Sequence, residues 1–273
     1  MIECYMNKQR TCIDKILNGI AIDKGVRLLY ACGGGSREWG FASEHSDYDV
    51  YFLYAYPKNA YLCLDTPQDT IERKIITEEA TFGIAGWDIF KALRLLRKSN
   101  PPLLEQLFST TIYAENTPQI DVLRDIARRT YSSSAVFYHY SRMASRNYRQ
   151  YIANKLLAGD AEVHLKKYLY VVRPMIALFF VEQHKTLPPT NFLKTLKNIE
   201  IDEDVREAIL DLVDRKKIGQ QLGMGAPIPA LNAFAEQYLT KWMEYDPEKD
   251  SKRHDFIELD NIILSILEEA NNA

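Results

Sequence analysis

Hydrophobic residues along this chain follow two periods. Val26 to Ala31 is a short apolar run bounded by glycine, which predicts a buried strand. Val50 to Leu53 is a second such run, and Thr70 to Thr77 alternates enough to read as a third strand closed by Glu78 and Glu79. Helical spacing appears earlier, where Ile13, Ile16, Leu17 and Ile20 mark one face of an amphipathic helix over about residues 6–24. Between the second and third strands, the aromatic-rich stretch 54–64, broken by Pro57, predicts a loop with a short helix. After Gly86-Trp87-Asp88, an apolar face of Ile89, Ala92, Leu93 and Leu96 opposes Lys91, Arg94, Arg97 and Lys98, with Asp88 placed as N-cap. Pro101 and Pro102 stop that helix, and a short one follows over 103–107. From about Pro118 the pattern is helical almost throughout, with helices expected near 119–131, 134–158, 161–184, 189–197, 202–217, 229–244 and 254–271. The boundary falls near 110–118. This gives an α+β chain in which residues 1–115 form a small mixed sheet with flanking helices, and residues 116–273 form an α-helical domain that closes a cleft.

The bulk numbers change this picture little. A 273-residue chain with 47% hydrophobic and 26% charged residues has the composition of a globular protein of one or two domains. A net charge of −3 argues against a pure RNA-binding polycation, so any basic site is local. Cys4, Cys12, Cys32 and Cys63 form no Cys-x-x-Cys pair, which argues against zinc and disulfides and for a reducing cytoplasm. The N-terminus carries no signal-peptide pattern, and the longest apolar run, Met175 to Val181, is far too short to span a membrane.

The candidate chemistry lies between the first two strands. Gly33, Gly34 and Gly35 permit a sharp turn and a close approach of backbone to ligand. Ser36 opens a short helical turn whose backbone N–H groups suit a phosphate. Asp47 and Asp49 stand two apart at the head of the second apolar run, so in a strand both carboxylates would share a face, about 7 Å apart. Mg²⁺ takes a few carboxylate oxygens and completes its shell with phosphate oxygens and water. Two such ions can stabilise the attacking and leaving oxygens of nucleotidyl transfer. Read locally, the same residues also fit a plain turn and a solvated strand start.

The string Gly35-Ser36-Arg37-x-Trp39-Gly40-Phe41-x-Ser43-x-x-Ser46-Asp47-Tyr48-Asp49-Val50 resembles the RlaP-type predicted nucleotidyltransferases, a group of the DNA polymerase β-like superfamily associated with RNA repair. Tyr140-Ser-Arg142-Met-Ala-Ser-Arg146-Asn-Tyr148, Lys166-Lys-Tyr-Leu-Tyr-Val-Val-Arg173-Pro174 and Gly223-Met-Gly225-Ala-Pro227-Ile-Pro229 resemble the same group, so the likeness spans about residues 28–240. It implies transfer of a nucleoside monophosphate from an NTP to an acceptor hydroxyl, on an RNA end or a protein. Asp47 and Asp49 would hold Mg²⁺. Gly35, Ser36, Arg37 and Ser46 would bind the nucleotide, and Arg142, Arg146 and Lys166 would neutralise its triphosphate. Arg142, Arg146 and Arg149 share a helix face, a like-charge stripe that an anionic ligand or acidic neighbours would relieve; any one of them alone fits a solvated face equally well, and the cluster together favours a site. Trp39 and Trp87 are expected to anchor helix against sheet, and Lys216 and Lys217 to be surface residues. His45 is expected in a loop. None of the five histidines shows metal-ligand spacing.

The chain departs from the family pattern in two places. Gly33 and Gly34 stand where the pattern has an acidic residue and a serine. Gly83 stands where a third carboxylate, the natural general base, belongs on a later strand. Glu79 is the candidate to replace it, with Glu78 beside it. The alternative is a catalytically weakened nucleotide-binding or partner-binding module of the same fold.

Overall fold

The computed structural model describes residues 2–220, 222–244 and 256–271. His254, the first residues expected for the last helix, and the Cys4 side chain lie outside that description. In chain order the elements are α1 (Ile2–Lys24), β1 (Arg27–Gly34), α2 (Gly35–Trp39), β2 (Tyr48–Ala55), a 3₁₀ turn (Lys58–Leu62), β3 (Thr70–Ile76), β4 (Thr81–Asp88), α3 (Ile89–Arg97), α4 (Pro101–Leu107), β5 (Ile112–Glu115), α5 (Gln119–Thr130), α6 (Ser133–Tyr148), a π-helical turn (Arg149–Ala153) and α7 (Asn154–Leu157). They continue with β6 (Val163–His164), α8 (Lys166–His184), α9 (Phe192–Lys197), α10 (Glu203–Lys217), β7 (Met224–Gly225), α11 (Pro229–Glu244) and α12 (Phe256–Asn271). The fold is α+β, with a five-stranded mixed sheet of order β3-β4-β2-β1-β5. Only the β2–β4 pair is parallel.

The chain forms two compact units. The first comprises Met1–Glu38, Asp47–Tyr131 and Lys252–Ala273; the second comprises Trp39–Ser46 and Ser132–Ser251. This division differs from a single boundary at 115/116. α5 and α12 group with the sheet, and the loop between α2 and β2 groups with the helices. α12 is fixed in the first unit by the Arg27–Glu269 ion pair at 2.9 Å and the Arg129–Glu258 pair at 2.7 Å.

In the first unit, Ile13, Leu17 and Ile20 of α1 pack on Ala31, Val50, Phe52, Ile71, Phe82 and Ile84, one face of the sheet. Because strand side chains alternate, Asp49, Tyr51, Leu53 and Gly83 occupy the other face. There α3 packs against β2 and β4, and α4 packs against β1. The capping of α3 by Asp88 holds: its Oδ1 accepts from the Phe90 N–H at 2.9 Å. Its Oδ2 accepts from the Tyr61 hydroxyl. Burial raises the Asp88 pKa.

β1 and β4 depart from the sequence reading, and β5, β6 and β7 are strands that it does not contain, β6 lying inside the helix expected at 161–184. β1 extends through Gly33 and Gly34, which pair with Val50 and Asp49, so both are strand residues and the turn begins at Gly35. β4 lies where hydrophobic periodicity marks no strand, although the family resemblance places Gly83 on one. It buries every second residue, Phe82, Ile84, Gly86 and Asp88, as a strand should. Gly83, Ala85 and Gly86 are weak strand formers, and packing overrides their propensity. A side chain at Gly86 would fall 2.2 Å from the Phe52 ring, so the large aromatic on β2 requires the glycine on β4.

The second unit is built on α8, which is buried over most of its length and packs against α6, α9, α10 and α11. Helix 134–158 is not continuous, since a π-helical turn interrupts it at Arg149–Ala153. The two-residue pair β6–β7 aligns Val163 with Gly225, and the Leu165 and Lys166 N–H groups donate to the Gly223 and Leu222 carbonyls. These bonds fix the start of α8. Among the described residues no helix is long and apolar enough to cross a membrane.

Candidate nucleotide and metal site

Asp49 lies in a cradle made by glycines. β1 delivers Gly35 at a φ of +60°, and a Cβ there would sit 1.7 Å from Asp49 Oδ2. On the other side β4 sets Gly83 in register with Asp49, and a Cβ at Gly83 would sit 3.3 Å from Asp49 Oδ1. Gly34 is open for a similar reason, since a Cβ there would overlap the Tyr51 ring at 2.1 Å. The glycine cluster therefore clears space for a carboxylate and an aromatic ring.

Asp47 precedes β2 and is exposed. Its backbone carbonyl accepts from Arg37 Nε at 3.3 Å. The Arg37 guanidinium lies 3.8 Å from the Tyr48 ring centroid, so Arg37 ties α2 to the start of β2. The carboxylate of Asp47 has no partner among the described residues, and neither does the Ser36 hydroxyl. Behind α2, buried Glu38 accepts from the Thr110 N–H at 2.7 Å and from its hydroxyl at 3.0 Å, anchoring the helix to the segment before β5. Beneath it, burial pushes the Cys32 thiol up to about 12, which makes it inert.

The donor set suits Mg²⁺. Two carboxylates with hard oxygens, one of them flanked by two glycines, match an ion that completes its shell from phosphates and water. Among the described residues no group of three or more His, Cys, Asp or Glu forms a self-sufficient metal cage.

Glu79 stands in the turn after β3. Its carboxylate is ion-paired with Lys8 of α1, the helix that packs on the sheet face opposite Asp49. Gly35, Ser36, Arg37, Asp47 and Asp49 are thus gathered in the first unit, and Glu79 is engaged elsewhere.

The second unit carries Ser46, Arg142, Arg146 and Lys166. Arg142 and Arg146 are exposed on α6, and Lys166 is exposed at the start of α8. Arg149 begins the π-helical turn. Ser46 closes a turn in which its hydroxyl accepts from the Ser43 N–H at 2.9 Å. Lys216, expected at the surface, is half-buried with its Nζ 3.4 Å from the Ser46 hydroxyl and 5.8 Å from the Phe41 ring centroid. Trp39, expected against the sheet, instead has the Arg173 guanidinium 4.2 Å over its ring and Phe41 at 5.7 Å. Local sequence carries no signal for the Lys216–Ser46 and Trp39–Arg173 contacts, because those partners are more than 100 residues apart. The second unit therefore holds the loop of the signature at both ends.

The family model described as "RlaP: RNA repair pathway DNA polymerase beta family" matches residues 10–265. The uncharacterized protein YcgL of Bacillus subtilis (strain 168) is 36% identical over 263 residues, covering 96% of this chain and 97% of that one. A crystal structure of a nucleotidyltransferase-like protein from Exiguobacterium sibiricum 255-15 aligns over 97% of this chain and 89% of that chain, with 12% identity and a TM-score of 0.37.

Proposed function

The chain belongs to the RlaP family, and from that membership we propose that it is a Mg²⁺-dependent nucleotidyltransferase moving a nucleoside monophosphate from an NTP to an acceptor. The observation that carries the reading is the Asp49 cradle, in which glycines at 35 and 83 put no side chain against either carboxylate oxygen. Asp47 and Asp49 would hold Mg²⁺, which when bound offsets phosphate charge and polarises the α-phosphate. Gly35 and Ser36 bind the β and γ phosphates. Arg37 holds the Asp47 backbone in place, and Ser46 fixes the turn before it. Arg142 and Arg146 of the second unit carry guanidinium forks of the kind that matches phosphate oxygens, and Lys166 adds an ammonium. The family description makes an RNA end the first acceptor to test. The reducing cytoplasm, where free thiols persist, is its compartment.

A second reading, a weakened nucleotide-binding module, draws on one observation: the residue in register with Asp49 on β4 is Gly83, not an acid. A transfer assay with α-labelled NTP separates the two. Incorporation by the wild type that is lost in the Asp47→Ala/Asp49→Ala variant supports the enzyme. Nucleotide binding without incorporation supports the module, and equal incorporation by both proteins refutes the site.

A further inference from the structure

We propose that the reacting group of the acceptor is a phosphate monoester, drawn in by Lys74 and attacking as its own anion, in place of the hydroxyl expected from the sequence. The proposal rests on the nucleotidyl-transfer reading above. It starts from one row of residues across the sheet. Asp49 of β2 is in register with Gly83 of β4, and Gly83 with Lys74 of β3. Register partners present their side chains on one face. The contacts of β3 agree. Ile71 and Ile75 pack into the core beneath α1, and Arg73 turns to Asp23 of α1 at 3.4 Å. Lys74 therefore stands on the Asp49 face. Two strand spacings put its Cα about 9–10 Å from that of Asp49, with only Gly83 between them. Lys74 is exposed and has no hydrogen-bond or ion-pair partner among the described residues.

Strand order fixes the direction of approach. The sheet runs β3-β4-β2-β1, so Gly35 and Ser36, which follow β1, lie on one flank of Asp49 and Lys74 lies on the other. In phosphoryl-type transfer the attacking and leaving oxygens are roughly in line through phosphorus. With the β and γ phosphates on the Gly35–Ser36 flank, the nucleophile arrives over Gly83, beside Lys74. A hydroxyl arriving there must give up a proton, and an ammonium donates hydrogen bonds but has no acceptor. Glu72 shares this face but lies one row further along β3, about 7 Å away, and Glu79 is held by Lys8. A phosphate monoester needs no base, since it is already anionic near neutral pH, and the ammonium attracts it.

The step balances without a proton acceptor. A non-bridging oxygen of the acceptor phosphate forms a bond to the α-phosphorus. The bond from that phosphorus to the α–β bridging oxygen breaks, and its electron pair leaves with pyrophosphate. The product is a phosphoanhydride.

The full-length protein would be given Mg²⁺, the four α-labelled NTPs and, in separate arms, an oligoribonucleotide phosphorylated at its 5′ end, one phosphorylated at its 3′ end, the hydroxyl-ended oligoribonucleotide, and a free mononucleotide. The expected result is at least tenfold more label in a phosphate-bearing arm than in the hydroxyl-ended arm, in a product that resists phosphatase and is cut by a nucleotide pyrophosphohydrolase. Whichever phosphate arm takes the label identifies the source of the group. Lys74→Ala should raise the acceptor KM at least tenfold with NTP affinity unchanged, and Lys74→Arg should restore it. Preferential or equal labelling of the hydroxyl-ended arm, absence of label from every phosphate arm, or a Lys74→Ala enzyme with wild-type acceptor KM would overturn the proposal. Label confined to the hydroxyl arm leaves the nucleotidyl-transfer reading standing, whereas failure to bind any NTP removes both.

Discussion

Gly35→Ala probes the cradle directly. The substitution acts twice. At a φ of +60° an alanine is strained, costing about 1–2 kcal/mol. Its Cβ would also lie 1.7 Å from Asp49 Oδ2 and 2.6 Å from Asp49 Cγ, so the carboxylate must move. Overpacking of this kind costs about 1–3 kcal/mol. The sum is about 2–5 kcal/mol, and for a chain of this size each kcal/mol lowers Tm by roughly 2–4 °C. The two parts separate in a double-mutant cycle with Asp49→Ala, which deletes the clashing oxygen and Cγ. In that background the cost of Gly35→Ala should fall toward the backbone part alone, a coupling of about 1–3 kcal/mol in urea unfolding. Additivity within about 0.5 kcal/mol would show that Gly35 and Asp49 do not share space, and the account of the glycine cluster would fail.

Gly19 gives the opposite sign: it is exposed within α1 with nothing near its would-be Cβ, so Gly19→Ala should stabilise by about 0.5–1 kcal/mol in the same urea titration. Native alkylation at pH 8 should label exposed Cys63 and spare buried Cys32. Because burial raises the Cys32 thiol from 9.0 to about 12, the folded state keeps a proton that the unfolded chain gives up. Its contribution to stability is intact below pH 9.0 and drains away as pH rises toward 12, which thermal melts across that range will detect. Lys8 and Glu79 form a pair about half exposed to solvent. Lys8→Ala and Glu79→Ala should each cost no more than about 1 kcal/mol. On the present reading Glu79→Ala retains nucleotidyl transfer, and its loss would restore Glu79 as the base.

Much of this architecture is legible in the sequence, for physical reasons that particular residues show. The apolar face of α3 emerges as Ile89, Ala92, Leu93 and Leu96, all buried, because helical periodicity depends only on local spacing. The signature from Gly35 to Asp49 is local too, and the structure sets Gly35 against the Asp49 carboxylate and Arg37 against the Asp47 backbone. β4 left no periodic signal because its glycines carry no side chain to mark a face, and their reason for being glycines, Asp49 beside Gly83 and Phe52 over Gly86, lies on another strand. The return of α12 to the sheet brings Arg27 to Glu269, a pairing 242 residues apart in sequence. Lys216 looked like one more cation on an exposed helix face, and only the structure sets it against Ser46.

The central claim is that Asp47 and Asp49 hold Mg²⁺ and nucleotide together. Thermal unfolding with each of the four NTPs, with and without Mg²⁺, on the wild type and the Asp47→Ala/Asp49→Ala variant tests it most directly. The account predicts a Mg²⁺-dependent rise in Tm for at least one NTP in the wild type, absent from the variant; at a ligand concentration 100 times Kd the stabilisation is about 2.7 kcal/mol. No rise for any NTP, or an equal rise in the variant, would contradict it.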